Sequence, residues 1–156
     1  MKVHLVFVGK TRESYLREGI DDFLKRLRRY VAVGVTVVRA ERMRRHDREE
    51  QAVRLESNRA VAAVPPGSHL VVLDHKGKQM TSEALACWWQ RLEGEGCKKL
   101  CFVVGGVLGF TDELRRQAHT LLSLSKMTFT HEMSRLILLE QLYRACTIMR
   151  GETYHR

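Results

Sequence analysis

Hydrophobic and polar positions fall along the chain in blocks whose period changes from one block to the next. Val3 to Val8 is a near-continuous apolar run of strand length, ended by Gly9-Lys10. From Tyr15 to Leu27 the apolar residues fall at Leu16, Ile20, Phe23, Leu24 and Leu27, the spacing of one helix face. Gly34 to Ala40 is rich in β-branched residues and predicts a strand. A basic loop over 41–46 follows, and Asp47 is placed to cap a helix over 48–63 that Pro65-Pro66-Gly67 stops. His69 to Leu73 is a short apolar strand of the kind covered on both faces. The polar stretch DHKGKQMT predicts a loop leading to Ser82, the expected N-cap of a helix through Leu92. Leu100 to Val104 reads as another buried strand, running into Gly105-Gly106-Val107-Leu108-Gly109. Thr111 then caps a helix toward Leu122, and a short strand near Leu122–Leu124 precedes a loop to Phe129. A last helix spans His131 to Met149.

Apolar strands alternating with helices predict an α/β fold, with a mostly parallel sheet and helices on both faces. No repeat or linker divides the chain, so residues 1–156 read as one domain. The last helix carries Met133, Leu136, Ile137, Leu138, Leu139, Leu142, Tyr143, Cys146 and Met149, and is therefore apolar nearly all round. Such a helix belongs against the sheet on one side and against a second subunit on the other. Its charged residues, Arg135, Glu140, Arg144 and Arg150, then lie near buried surface and should be paired or touch an anionic ligand. Glu140 and Arg144, four residues apart, can pair with each other.

Composition narrows the class further. No apolar run approaches the roughly 20 residues of a membrane span, and MKVHLVFVGK lacks a signal-peptide cleavage pattern, so a cytosolic protein is expected. Cys87, Cys97, Cys101 and Cys146 complete no metal-ligand set and read as buried thiols. The formal charge is +9, and residues 24–48 supply +7 of it through nine basic side chains against Glu41 and Asp47. A charge run is usually a solvated face. Here the bias toward arginine, whose planar fork matches phosphate oxygens, points to a phosphate-binding surface.

Three loops leave the carboxyl ends of predicted strands, where open α/β sheets bind ligands: Leu73-Asp74 onward, Gly105 to Gly109, and Ser123 to Phe129. The glycine loop reads G-G-x-x-G, a poor match to the dinucleotide fingerprint, and no acidic residue follows about 20 positions on to hold a ribose. A nicotinamide oxidoreductase would explain the glycines but not that gap. A non-catalytic RNA- or ribosome-binding protein would explain the basic segment but not the tail. That tail, Glu-Thr-Tyr-His-Arg, groups a phenol, an imidazole and a guanidinium directly after a helix that must be buried, which suggests closure over an active site.

The stretches LDHKGKQMTSE at 73–83, VVGGVLG at 103–109, LSLSKMTFTHEMSR at 122–135 and EQLYRACTIMRGETYHR at the end resemble the RlmH family. These are ribosomal large-subunit pseudouridine methyltransferases of the SPOUT class. The resemblance runs over the whole chain. It implies a C-terminal trefoil knot, a homodimer, and S-adenosylmethionine as cofactor. It also implies methylation of N3 of a pseudouridine in the helix 69 loop of 23S rRNA, without metal; the small size of the chain, with no separate RNA-binding domain, adds the expectation that the substrate is the assembled ribosome. By position the cofactor residues are Leu73, Gly105, Leu124, Ser125, Lys126, Met127, Thr128 and Phe129. His155 is the implied base, with Arg144 stabilising charge or holding phosphate and Tyr154 stacking or hydrogen-bonding; the tail of one subunit would complete its partner's pocket. Thr130 stands where the family commonly has proline and is expected to loosen the start of the last helix. His131 either caps that helix or touches substrate.

Overall fold

The computed structural model describes residues 1–44 and 48–155, apart from the side chain of His155. Its order is β1 (Lys2–Val8), α1 (Ser14–Leu27), β2 (Ala32–Val38), α2 (Glu49–Ala62), β3 (His69–Gln79), α3 (Ser82–Gly94), β4 (Lys99–Val104), α4 (Asp112–Gln117), β5 (Thr120–Ser123) and α5 (His131–Met149). A 3-10 turn over Thr153–His155 ends the chain. The strands form one parallel sheet in the order β2-β1-β4-β3-β5.

Alternation along the strands sorts the core into two layers. Val3, Leu5 and Phe7 of β1, with Leu100, Phe102 and Val104 of β4, face α1, α3 and α5. Val6, Val8, Cys101 and Val103 face the other way, toward Ala60 of α2 and Leu114 of α4. The expected fold class, helices on both faces of a parallel sheet, is what the chain adopts. Each buried Leu, Val or Phe contributes about 1.5–3 kcal/mol relative to exposure. The five strands therefore explain why the middle of the chain reads as apolar runs.

Four expectations need correction. β3 does not stop at Leu73: after a register break Lys78 and Gln79 pair with Leu122 and Ser123 of β5. The polar stretch read as loop is thus partly strand, and its exposed side chains hid it. Gly77 makes this possible, because a Cβ there would lie 2.6–2.7 Å from backbone atoms of Leu121 and Leu122. Second, α4 ends at Gln117, short of Leu122, since Ala118 turns extended (ψ 135°) and His119 N donates to Leu70 O at 2.9 Å. Third, Thr81 rather than Ser82 caps α3, accepting from Ala84 N at 3.1 Å, while Ser82 Oγ donates to Gln141 Oε1 at 2.6 Å and ties α3 to α5. Fourth, Cys87 is exposed, not buried; Cys101 and Cys146 are buried, and burial pushes both thiols up to about 12. The expected cap at Asp47 lies outside the described residues; α2 starts after Arg48, whose side chain makes no capping bond. Among the described residues no helix is long and apolar enough to cross a membrane.

Candidate functional site

The carboxyl ends of β4 and β5 lie beside the register break of β3, and the segments that follow these three points wall a cavity of about 750 Å³. Leu73, Gly105, Leu124, Ser125, Met127, Thr128 and Phe129, all expected there, line it. Lys126 does not; its side chain is exposed beside the cavity. Small residues shape the walls. A Cβ on Gly105 would press on the Phe110 ring at 3.1–3.5 Å, and Gly109 turns with φ +75°, a conformation that favours glycine. The 123–127 loop holds itself, with Ser123 Oγ donating to Ser125 O at 3.0 Å and Met127 N to Ser125 Oγ at 3.0 Å. Met127 and Val107 stand exposed at the rim.

Charge in the cavity comes from a pair that sequence reading left without a role. Asp74 Oδ2 accepts from Arg115 Nε at 2.5 Å and Oδ1 from Lys76 N at 2.9 Å. Burial works to raise the Asp74 pKa, but these hydrogen bonds outweigh it and the carboxyl is held below its usual range. Arg115 also reaches Asp112 Oδ1 at 2.8 Å, so it braces β3 at its register break against α4. Forty-one residues separate Asp74 from Arg115, and no local motif links them. The placement of α4 against the middle of β3 was the one signal that could have found the pair.

At the start of α5 Thr130, not His131, is the cap: its Oγ1 accepts from Met133 N at 3.2 Å, and its carbonyl accepts from Ser134 Oγ at 3.0 Å. The expected loosening is therefore replaced by a closed helix end that proline, without a hydroxyl, would not supply. His131 lines the cavity, and burial, then the nearby Arg135, lowers its pKa. Arg135 is wholly buried, donating to Val8 O at 2.6 Å and Thr11 Oγ1 at 2.9 Å, with its guanidinium 4.9 Å from the Phe7 ring centre. Backbone, hydroxyl and ring hold it in place of the acidic partner or anionic ligand that the sequence had led one to expect, and its buried Nε has no hydrogen-bond partner among the described residues. Glu132 completes this corner by accepting from the amides of Arg12 and Glu13.

The opposite end of α5 holds the tail. Arg144 donates from Nε (3.0 Å) and Nη2 (2.5 Å) to Glu140 Oε1, so the expected pair forms. Tyr154 Oη donates to the same oxygen at 3.1 Å, lies beneath the Arg144 guanidinium at 4.8 Å, and packs on Tyr143 with ring centres 4.7 Å apart. Burial first, then Glu140, raises the Tyr154 pKa. Neither Arg144 nor Tyr154 lines the loop cavity, and the helix separates Arg144 from His131 by about 20 Å at 1.5 Å per residue. The His155 side chain lies outside the described residues. Within one chain, then, the expected cofactor residues other than Lys126 converge, and Arg144 and Tyr154 stand apart from them. Among the described residues no three His, Cys, Asp or Glu side chains gather in a way that could hold a metal.

With that geometry in place, comparison with known proteins decides the family. The family model described as "Predicted SPOUT methyltransferase" matches residues 1–155. The chain belongs to the SPOUT methyltransferase family. Relatives cover the full length: a protein named ribosomal RNA large subunit methyltransferase H from Halothermothrix orenii is 45% identical over 159 residues, with all of each chain aligned. One of the same name from Bacillus pumilus is 38% identical over 159 residues, again over the whole of both. Among solved structures, a Legionella pneumophila methyltransferase in complex with S-adenosylmethionine superposes with TM-score 0.50 at 15% identity, over 91% of this chain and 65% of its own. A methylase-family protein from Haemophilus influenzae gives 0.53 at 12%, over 99% and 70%. At such identities these two neighbours speak for the fold alone.

Proposed function

We propose that the chain transfers a methyl group from S-adenosylmethionine to N3 of a pseudouridine in the helix 69 loop of 23S rRNA. The observation that carries this is the full-length match to ribosomal RNA large subunit methyltransferases H, joined to the convergence of three loops on one cavity. The residues fit the cofactor. Leu73, Leu124 and Phe129 offer apolar walls for a purine, Gly105 lets backbone approach closely, and the self-bonded 123–127 loop presents backbone polar groups. When bound, the sulfonium supplies an already activated methyl, so the protein's task is alignment and exclusion of water. The imide N3 of the acceptor must lose its proton to become nucleophilic.

His155 is the proposed base, Tyr154 the stacking or hydrogen-bonding partner, and Arg144 a cation for phosphate or for charge developing on the ring. The distance of Arg144 and Tyr154 from the cavity in one chain supports a homodimer in which the tail of one copy completes the site of the other. The half-buried Leu136, Ile137 and Gln141 of α5 leave room for such a partner. The close passage of Gly77 over the Leu121–Leu122 backbone supports a chain that threads itself as a trefoil knot. One domain performs all of this, in the cytoplasm, on assembled ribosomes.

The test is methyl transfer from labelled S-adenosylmethionine to ribosomes with and without pseudouridine at the target. Transfer only to the former is expected; equal transfer to both refutes the stated specificity. In the same assay His155→Ala is expected to lose at least about 100-fold, the range of general-base catalysis. A full rate in that variant removes histidine as the base.

A further inference from the structure

Beside the loop cavity lies a second and larger one, of about 1360 Å³, bounded by the segment after β1, the end of β2 and residues 39–43. The two cavities share Gly106, Val107, Leu108, His131 and Glu132, so whatever occupies the second one sits next to the occupant of the first. Five cations line it: Lys10, Arg12, Arg17, Arg39 and Arg42. Arg39 is 3.8 Å from Glu41, but the side chains of the other four meet no acidic partner among the described residues.

The acids of this cavity offset those charges only in part: five cations stand against Glu41, Glu56 and Glu132, each already engaged. Glu41 is ion-paired with Arg59, and Glu132 accepts from two backbone amides. Glu56 is buried, with Oε2 accepting from Glu41 N at 2.7 Å, and burial raises its pKa. Between the cations the surface is apolar. Val37 (50% exposed), Met43 (41%) and Val107 (83%) are three of the six large hydrophobic side chains exposed among the described residues. Unpaired cations interleaved with exposed apolar surface suit a strand that carries phosphates on one edge and flat bases on the other. The shared wall places that strand in the same molecule as the methyl acceptor.

We propose that this second cavity binds the single-stranded RNA adjoining the methylated nucleotide, with phosphates on Lys10, Arg12, Arg17 and Arg42 and bases against Val37, Met43 and Val107. The proposal rests on the reading of the chain as an RNA methyltransferase, but its test does not need methylation. The affinity of a fluorescein-labelled single-stranded RNA is measured by anisotropy across salt concentrations for the full-length protein, for Arg17→Glu/Arg42→Glu, and for Lys2→Glu/Lys98→Glu. The last pair makes the same charge change at the opposite end of the sheet. Arg17→Glu/Arg42→Glu should bind at least about tenfold more weakly and lose about 1.4 from the salt slope, two phosphate contacts at roughly 0.7 each. The control should stay within about twofold. Equal losses in both variants, or none in either, overturn the proposal. RNA affinity that is kept while ribosomes are released would assign the face to a protein partner, which also overturns it. Should Arg17→Glu/Arg42→Glu fail to fold, photo-crosslinking of thiouridine RNA to the unaltered protein decides: crosslinks on the peptides bearing Met43 or Val107 support the site, and crosslinks confined elsewhere remove it. Absence of methyl transfer by the unaltered protein would count against the proposed activity and leave this affinity measurement standing.

Discussion

The two ends of α5 are built on opposite plans. At the N-terminal end, Thr130 caps the helix, His131 faces a cavity walled by three loops, and Arg135 locks the corner to Val8 and Thr11. At the C-terminal end, Arg144, Glu140 and Tyr154 satisfy one another, and Tyr30 Oη donates to Glu152 at 2.5 Å. The first end is an open cavity, with His131 on its wall and Asp74 already bonded to Arg115. The second gathers Glu140, Arg144 and Tyr154, of which none lines that cavity. On the proposed function neither end is a complete active site, and two copies arranged so that unlike ends meet would make two complete ones.

Removing the tail is the largest expected break in that comparison. A chain ending at Arg150 should keep its helix content, since the core layers lie within residues 3–146. It should lose methyl transfer by more than about 100-fold if the tail supplies the base. Mixing then tells whether the two ends work across copies. The truncated chain combined with Gly105→Val, whose cavity is crowded against Phe110, should recover about a quarter of the full rate, one good site in half of the dimers. No recovery on mixing would mean that the tail folds back on its own chain.

At the cavity end the largest structural effect should come from Gly77→Ala. The added Cβ would meet backbone atoms of Leu121 and Leu122 at 2.6–2.7 Å, and backbone paired in a sheet cannot step aside. A loss of about 3 kcal/mol or failure to fold is expected, against a cost near zero for Gly94→Ala, which has nothing within 4 Å. Urea denaturation of the two variants measures this. Equal midpoints would show that β3 does not pass so closely over β5.

The contrast also explains what could be read from the residues alone. β1 and β4 were legible because apolar runs bounded by Gly9 and Gly105 admit little else, and the three loops followed from where the strands end. The second half of β3 was not, because Lys78 and Gln79 pair through backbone while their side chains stay in solvent. Asp74 and Arg115 were missed for a related reason: the bond between them depends on β3 lying beside β4 and β5, a fact of topology rather than of local pattern. The tail was legible as chemistry and illegible as geometry. Spacing along α5 predicts that Glu140 meets Arg144, but only the turn after Met149 sends Tyr154 back onto that pair.

The smallest effects separate stability from function at the two helix ends. Thr130→Ala removes a side-chain cap, and a loss of about 1 kcal/mol is expected. Gly151→Ala should cost a similar amount, about 1 kcal/mol, because Gly151 sits at φ +68° where a side chain is strained. There the amides of Gly151 and Glu152 close the helix by donating to Ile148 O at 3.0 Å and Thr147 O at 2.9 Å. Matched in stability, the two should differ in activity. Thr130 lines the cavity, but its hydroxyl is taken up by the cap, so its variant should methylate within about threefold of the unaltered rate. On the proposed function Gly151 sets the path of the tail toward the partner's site, and an error of about 1 Å in a reacting group costs on the order of 100-fold. Thermal melts paired with initial methylation rates check both. Equal activity losses would mean that the tail's path is set by Tyr154 docking on Glu140 rather than by the turn at Gly151.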